Sequence, residues 1–240
     1  MWDFENIKNK HIMNKSTKII VEILLFVACL GLVYLIYNSI MQPVRFNKQK
    51  AYRESVAIQR LKDIRTLEVA YKSVNGRYMG DIDSLIDFYH NGKMEVIMQV
   101  GSGDDSLAVA NTEALKKKGA KVEDLLKMYN EGAKNLYFSI KTLVPVKDTL
   151  FTTRENLVLD SLKYIPFSGG QPIQMQAVIK VVSGVNVPLF EAEAPYDLLL
   201  RGLDRQLIVN AKADCRDKNR YEGLQVGSID TPNNNAGNWE

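Results

Sequence analysis

The residues best suited to chemistry in this 240-residue chain are few and widely separated. There are two histidines. His11 lies in a polar N-terminal stretch and His90 ends a predicted short helix. Neither has a Cys or His partner at metal-ligand spacing. Of the two cysteines, Cys29 falls inside an apolar run and Cys215 lies far along the chain. They do not pair within one chain, so no disulfide staples the fold. Glu191 and Glu193 stand two apart, on one face of a predicted strand, and that face is expected to meet solvent. Asp104 and Asp105 sit in the loop 101–106, which lacks the alternating oxygen ligands of a calcium loop. The same loop lacks the Lys-Ser/Thr end of a phosphate cradle. Lys116, Lys117 and Lys118 read as a solvated face. With no nucleophile-elbow or triad signature, the expectation is no catalytic site, no metal and no cofactor.

The element that must position everything else is an apolar run at Ile19–Met41, IIVEILLFVACLGLVYLIYNSIM, with Glu22 its single charge. At about 1.5 Å per residue it reaches roughly 34 Å, enough for the hydrocarbon core of a bilayer. It is longer than the apolar core of a cleaved signal and follows an eighteen-residue polar head. A retained single-pass anchor is therefore expected. A carboxylate at mid-bilayer costs about 2.5–3.5 kcal/mol, less near the edge where Glu22 lies. Two readings of Glu22 stay open: a pair with Lys18 one turn earlier, or a contact with a neighbouring subunit inside the membrane. Positive charge on the two flanks nearly ties. The short head and long tail favour the inner (cytoplasmic) membrane with the soluble domain outside the cytoplasm.

Charge is distributed unevenly. Residues 42–77 carry nine Lys/Arg against three Asp/Glu, whereas residues 78–240 carry eighteen against twenty-two. The basic block directly after the anchor suits anionic headgroups. The acidic remainder, without aromatic-basic interleaving, argues against nucleic acid.

Beyond Pro43, expected to interrupt or kink the helix, Ala57, Leu61, Ile64, Leu67, Tyr71 and Val74 recur at spacings of three or four. That is one buried stripe of a long amphipathic helix, ended by Asn75-Gly76. Asp81 or Asp83 caps a short helix through Tyr89 that Asn91-Gly92 stops. Met94–Val100 reads as a strand, 107–131 as a helical insertion, and Tyr137–Val144 as a second strand carried on by Val146 and Leu150-Phe151. Met175–Val182 and Val185–Ala192 form a hairpin through Ser183-Gly184. Leu198–Leu203 and Gln206–Ala213 continue the period-two region, and Gly223–Ile229 adds a last strand. The fold class is α+β: an N-terminal transmembrane helix extended by a long amphipathic helix on an antiparallel β-sheet. The divisions are a polar head (1–18), the anchor (19–41), a soluble domain (42–232, helical to 132 and mainly β from 133) and a tail (233–240) in which Trp239 is free to dock or to stay mobile.

The segment Asp63-Ile64-Arg65-Thr66-Leu67-Glu68-Val69-Ala70-Tyr71-Lys72, leading to Asn75-Gly76-Arg77-Tyr78, resembles the helix end of type IV pilin-like and type II secretion pseudopilin subunits. Glu22 and Gly31 are spaced like that family's early glutamate and helix glycine, and Pro43 resembles its kinking proline a few residues late. The similarity covers about residues 18–90. Thr17 stands where the family's peptidase site has glycine, and Met79-Gly80 follows Tyr78 where the family has proline. The resemblance implies a long helix on a small sheet, assembling in a cell envelope without catalysis. Glu22 and Gly31 would pack in the membrane and Pro43 would set the kink. Partners would be the lipid bilayer and other anchored subunits, copies of the chain included. The alternative is a tethered ligand-binding or sensory domain, which calls for a deep apolar pocket between 101–132 and the sheet.

Overall fold

A computed structural model describes residues 15–154 and 157–240. Most of the polar head, His11 included, lies outside the described residues. The chain begins as one helix, α1 (Lys15–Asn75), of 61 residues. At about 1.5 Å per residue that is roughly 90 Å. Its two halves differ in surroundings. Every residue from Ser16 to Ile40 is exposed. An 18-residue window there has mean hydropathy 2.9 and is not buried against the rest of the chain. By length and composition α1 is a helix that can cross a membrane. It runs through Pro43 without interruption, although proline supplies no N–H to the carbonyl of Ser39.

The second half buries one stripe. Ala57, Leu61, Ile64 and Leu67 are at most 1% exposed. Tyr71 is half-buried and Val74 exposed, so the stripe ends a turn earlier than its spacing suggests. Gly76 then takes a positive φ of 71°. Its N–H reaches the Lys72 carbonyl at 2.8 Å, closing the last turn.

Helix α2 (Ile82–Asn91) is capped by Asp81, whose carboxylate accepts from the Ser84 N–H. At Gly92 a Cβ would lie 2.3 Å from the Phe88 carbonyl oxygen, so only glycine fits that turn. Strands β1 (Lys93–Val100) and β2 (Phe138–Pro145) pair antiparallel from Lys93 opposite Pro145 to Val100 opposite Phe138. Between them lie α3 (Ser106–Lys117) and α4 (Val122–Asn130). Asp105 N-caps α3, so its carboxylate is a helix cap. Leu125 anchors the insertion to Val100, Leu136 and Phe138 in a small separate cluster.

The larger sheet is antiparallel, in the order β3 (Gln174–Val182), β4 (Val185–Pro195), β5 (Gly223–Gly227). Ser183 and Gly184 both have positive φ, which matches the twist of a two-residue hairpin. Pro188 sits where β4 has a partner only in β3, the edge position a missing N–H requires. Phe190, Ala192 and Ala194 of β4, with Leu224 and Val226 of β5, join the α1 stripe in one buried cluster. Phe190 is fully buried, and its ring centroid lies 4.8 Å from that of Tyr78.

Two segments depart from the expected strands. After Pro145 the chain turns into a 3-10 helix at Val146–Asp148. Its ribbon partner has run out: the residue before β1 is Gly92, whose carbonyl takes the Val146 N–H at 3.0 Å. Beyond β4 the chain is helical as α5 (Tyr196–Leu199) and α6 (Arg205–Asp217), joined by a turn. Leu207, Ala211 and Cys215 fit a helical stripe as well as they fit strand alternation. Asp204 decides between the two by capping α6 through the Leu207 N–H. The tail folds back: Gly227 donates to the Ala236 carbonyl, Asn238 to that of Gln225, and Trp239 packs against the main cluster.

Phe190→Ala is expected to cost about 3–5 kcal/mol of stability, read as a fall in the denaturation midpoint of the full chain in detergent. Val181→Ala, at a side chain 70% exposed, is expected to change it by less than about 0.5 kcal/mol.

Candidate functional site

The three residues singled out in and after the apolar run are all on α1. Glu22 and Gly31 are exposed and Pro43 is half-buried. A Cβ added at Gly31 meets nothing within 4 Å. Lys18 and Glu22 form no ion pair. Nine residues of helix separate Glu22 from Gly31, a turn of about 180° beyond whole revolutions and a rise of about 14 Å. Pro43 follows Gly31 at roughly 120°. The chain therefore does not bring the three together. Each projects from a different side of the same rod, and Gly31 leaves a gap where another helix can approach closely.

Polar groups do meet around the second half of α1, at positions the spacing of apolar residues passes over. Glu68 is fully buried. One carboxylate oxygen accepts the Met79 N–H at 2.8 Å, and the other has no partner among the described residues. Burial pushes this carboxyl up to about 8, against the smaller opposing effect of the Met79 hydrogen bond. Its place was legible: Glu68 follows Leu61 and Ile64 on the stripe itself, four residues after Ile64. Asp63 is 4% exposed. It pairs with Arg154 and accepts from the Gln59 amide at 3.0 Å.

Further down α1, Lys50 and Glu54 meet Tyr196, Cys215 and Trp239 around a cleft of about 210 Å³. The Tyr196 hydroxyl donates to the Glu54 carboxylate. Lys50 Nζ lies 3.8 Å from Glu54 Oε1 and 5.0 Å above the Tyr196 ring centroid. Burial first, then the Glu54 carboxylate, holds the phenol protonated far above its ordinary range. Burial also pushes the Cys215 thiol up, which makes it a weak nucleophile. Trp239 keeps a buried indole N–H without an acceptor among the described residues. These groups supply hydrogen bonds and a cation rather than an activated nucleophile.

On β4, Glu191 and Glu193 are half-buried, contrary to the expected solvent face. Glu191 accepts from the Gln225 amide at 2.8 Å. Burial and then the neighbouring Glu191 raise Glu193, with a Tyr221 hydrogen bond opposing. His90 lies in the last turn of α2, its ring edge-on to that of Tyr89. Among the described residues no group of three or more His, Cys, Asp or Glu is placed to hold a metal ion.

Comparison with protein-family models, with curated proteins and with solved structures found no match for this chain.

Because the folded state raises the Glu68 carboxyl above its unfolded value, the folded state binds the extra proton between about pH 4.5 and 8. Its contribution is full below that window and is lost as pH rises through it. Glu68→Gln should remove that dependence. The difference in stability between the wild-type chain and this variant should change by on the order of 3–5 kcal/mol across the window, measured by denaturant unfolding at stepped pH.

Proposed function

We propose that this chain is a non-catalytic, membrane-anchored assembly subunit of a cell envelope, built like a type IV pilin-like or type II secretion pseudopilin subunit. The observation that carries the proposal is the contrast between the two halves of one helix. Residues 19–40 are apolar but for a few polar positions such as Glu22 and are exposed on every side, while residues 57–67 bury a single stripe in the domain core. A rod with an all-round apolar half needs a surrounding of the same character. A bilayer supplies it, and so do other anchored helices.

In this reading Ile19–Met41 spans the inner (cytoplasmic) membrane and the domain lies on the extracytoplasmic side. Glu22 and Gly31, on opposite sides of α1, meet different neighbours, copies of the chain included, and Pro43 sets the direction of the rod as it leaves the membrane. The segment from Arg65 to Tyr78, which carries the resemblance, is also where α1 ends against the domain core. Support against a tethered ligand-binding domain comes from the place where its pocket was expected. Between the 101–132 insertion and β2 there is a cleft of about 230 Å³, lined largely by polar side chains such as Gln99, Thr112, Glu113 and Lys116. Ligand pockets are generally larger, about 300–1,000 Å³, and mostly apolar.

Single cysteines placed along residues 20–40, in a chain with Cys29 and Cys215 replaced by serine, should crosslink in intact membranes. Efficiency should recur with helical period on more than one side of the rod, and Glu22→Gln should weaken it. A strictly monomeric pattern at every position would sink the proposal.

A further inference from the structure

We infer that the corner between α5 and α6, together with the first turns of α1 beyond the anchor, forms a foot that rests on anionic lipid headgroups. This rests on the reading that Ile19–Met41 crosses a bilayer. The corner reaches back to the very end of the apolar run. The Gln42 amide donates to Asp204 Oδ2 at 2.7 Å. Asn38, Arg45 and Phe46 of α1 face Gly202 and Leu203 across one cleft. Residues 42–46 rise only about 8 Å beyond the anchor, which is roughly the depth of one headgroup layer. Whatever touches Gln42 is therefore held at that layer.

The side chains gathered there have the right chemistry. Arg45, Lys48 and Arg205 are all exposed, and among the described residues none of them forms an ion pair. Arg201 is held apart from them: it donates to the Ser168 carbonyl at 3.0 Å, and its own carbonyl accepts from Arg53 at 2.9 Å. The one acid in the group, Asp204, is already engaged by Gln42 and by the Leu207 N–H. Leu203 is half-exposed at the tip, an apolar point between cations. The second element is what a basic stretch of helix alone would lack. A helix emerging from a membrane offers one line of charge, whereas here a second point of contact, Arg205 at a corner held by the Gln42–Asp204 bond 162 residues along the chain, sits beside it. Two separate contacts fix the tilt of the domain over the membrane as well as its height. The partner is a surface of acidic phospholipid, recognised by net charge and needing no specific headgroup.

The test uses the full chain, with Cys29 and Cys215 replaced by serine and one cysteine introduced at exposed Gln206 or, as a control, at Asn186 beside the β3–β4 turn. Each is reconstituted in phosphatidylcholine vesicles with or without phosphatidylglycerol and labelled with a water-soluble maleimide. At Gln206→Cys, phosphatidylglycerol should slow labelling by roughly threefold or more, and high salt should restore the rate. Asn186→Cys should not respond. Changing Arg45, Lys48 and Arg205 together to glutamine should abolish the lipid effect while circular dichroism stays unchanged. Equal rates at Gln206→Cys in both lipids, for protein that resists alkaline extraction, would overturn the foot and leave the anchor standing. Release of the protein by alkali would overturn the anchor and the foot together.

Discussion

The domain is organised by burial of one stripe of α1. Ala57, Leu61, Ile64 and Leu67 are the side chains against which β4 and β5 close. Removing any of them from water is worth roughly 1–3 kcal/mol, but their larger role is geometric. Consecutive stripe positions lie about 5–6 Å apart along a rigid rod, so they fix the height at which Phe190, Ala192, Leu224 and Val226 must arrive. The sheet is small, and β5 pairs with β4 over only five residues. Without the helix beneath it, so small an arrangement would have little to hold it. The polar contacts along the same side of the rod are subordinate to this. Arg53 donates to the Leu199 and Arg201 carbonyls, and Arg65 reaches Glu240 at 2.7 Å. They tie down segments that the apolar contact has already brought near.

Much of this was legible in the residues. The apolar run, the stripe, the Asn75-Gly76 and Asn91-Gly92 stops, the Ser183-Gly184 hairpin and the strands Met94–Val100 and Tyr137–Val144 each rest on a local signal strong enough to survive tertiary context. Where the expected strands became helices, two periods fitted equally well. Leu207, Val209, Ala211 and Ala213 alternate, and Leu207, Ala211 and Cys215 also follow a helix. Asp204 at the N-cap and the burial of Ile208 resolve it. Asp204 stands directly before the ambiguous run, so the deciding signal was present but local and easily outvoted by the strands on either side.

The polar interior was harder to see. Glu68 occupies a stripe position, and a search for apolar residues passes over it. Glu54 and Tyr196 are 142 residues apart, and no spacing rule links them. Glu22, Gly31 and Pro43 present the opposite case. Their types and spacing stand out in the sequence, yet within one chain they touch nothing that explains them. Sequence shows which residues are unusual for their setting. Only the fold shows that polar residues beyond the apolar run, such as Glu68, turn inward while Glu22 within it faces outward.

The distance along the chain between α1 and its partners also has a consequence for time. Tyr78 and Asn235, whose side chains bond at 2.7 Å, are 157 residues apart. At about 5–20 residues per second of synthesis, the stripe is made roughly 10–30 s before the strands that cover it. Through that interval the stripe from Ala57 to Leu67 is an apolar line on a nascent chain, without the strands that bury it. A chaperone, or the surface beside which the chain is being made, has that long to occupy it.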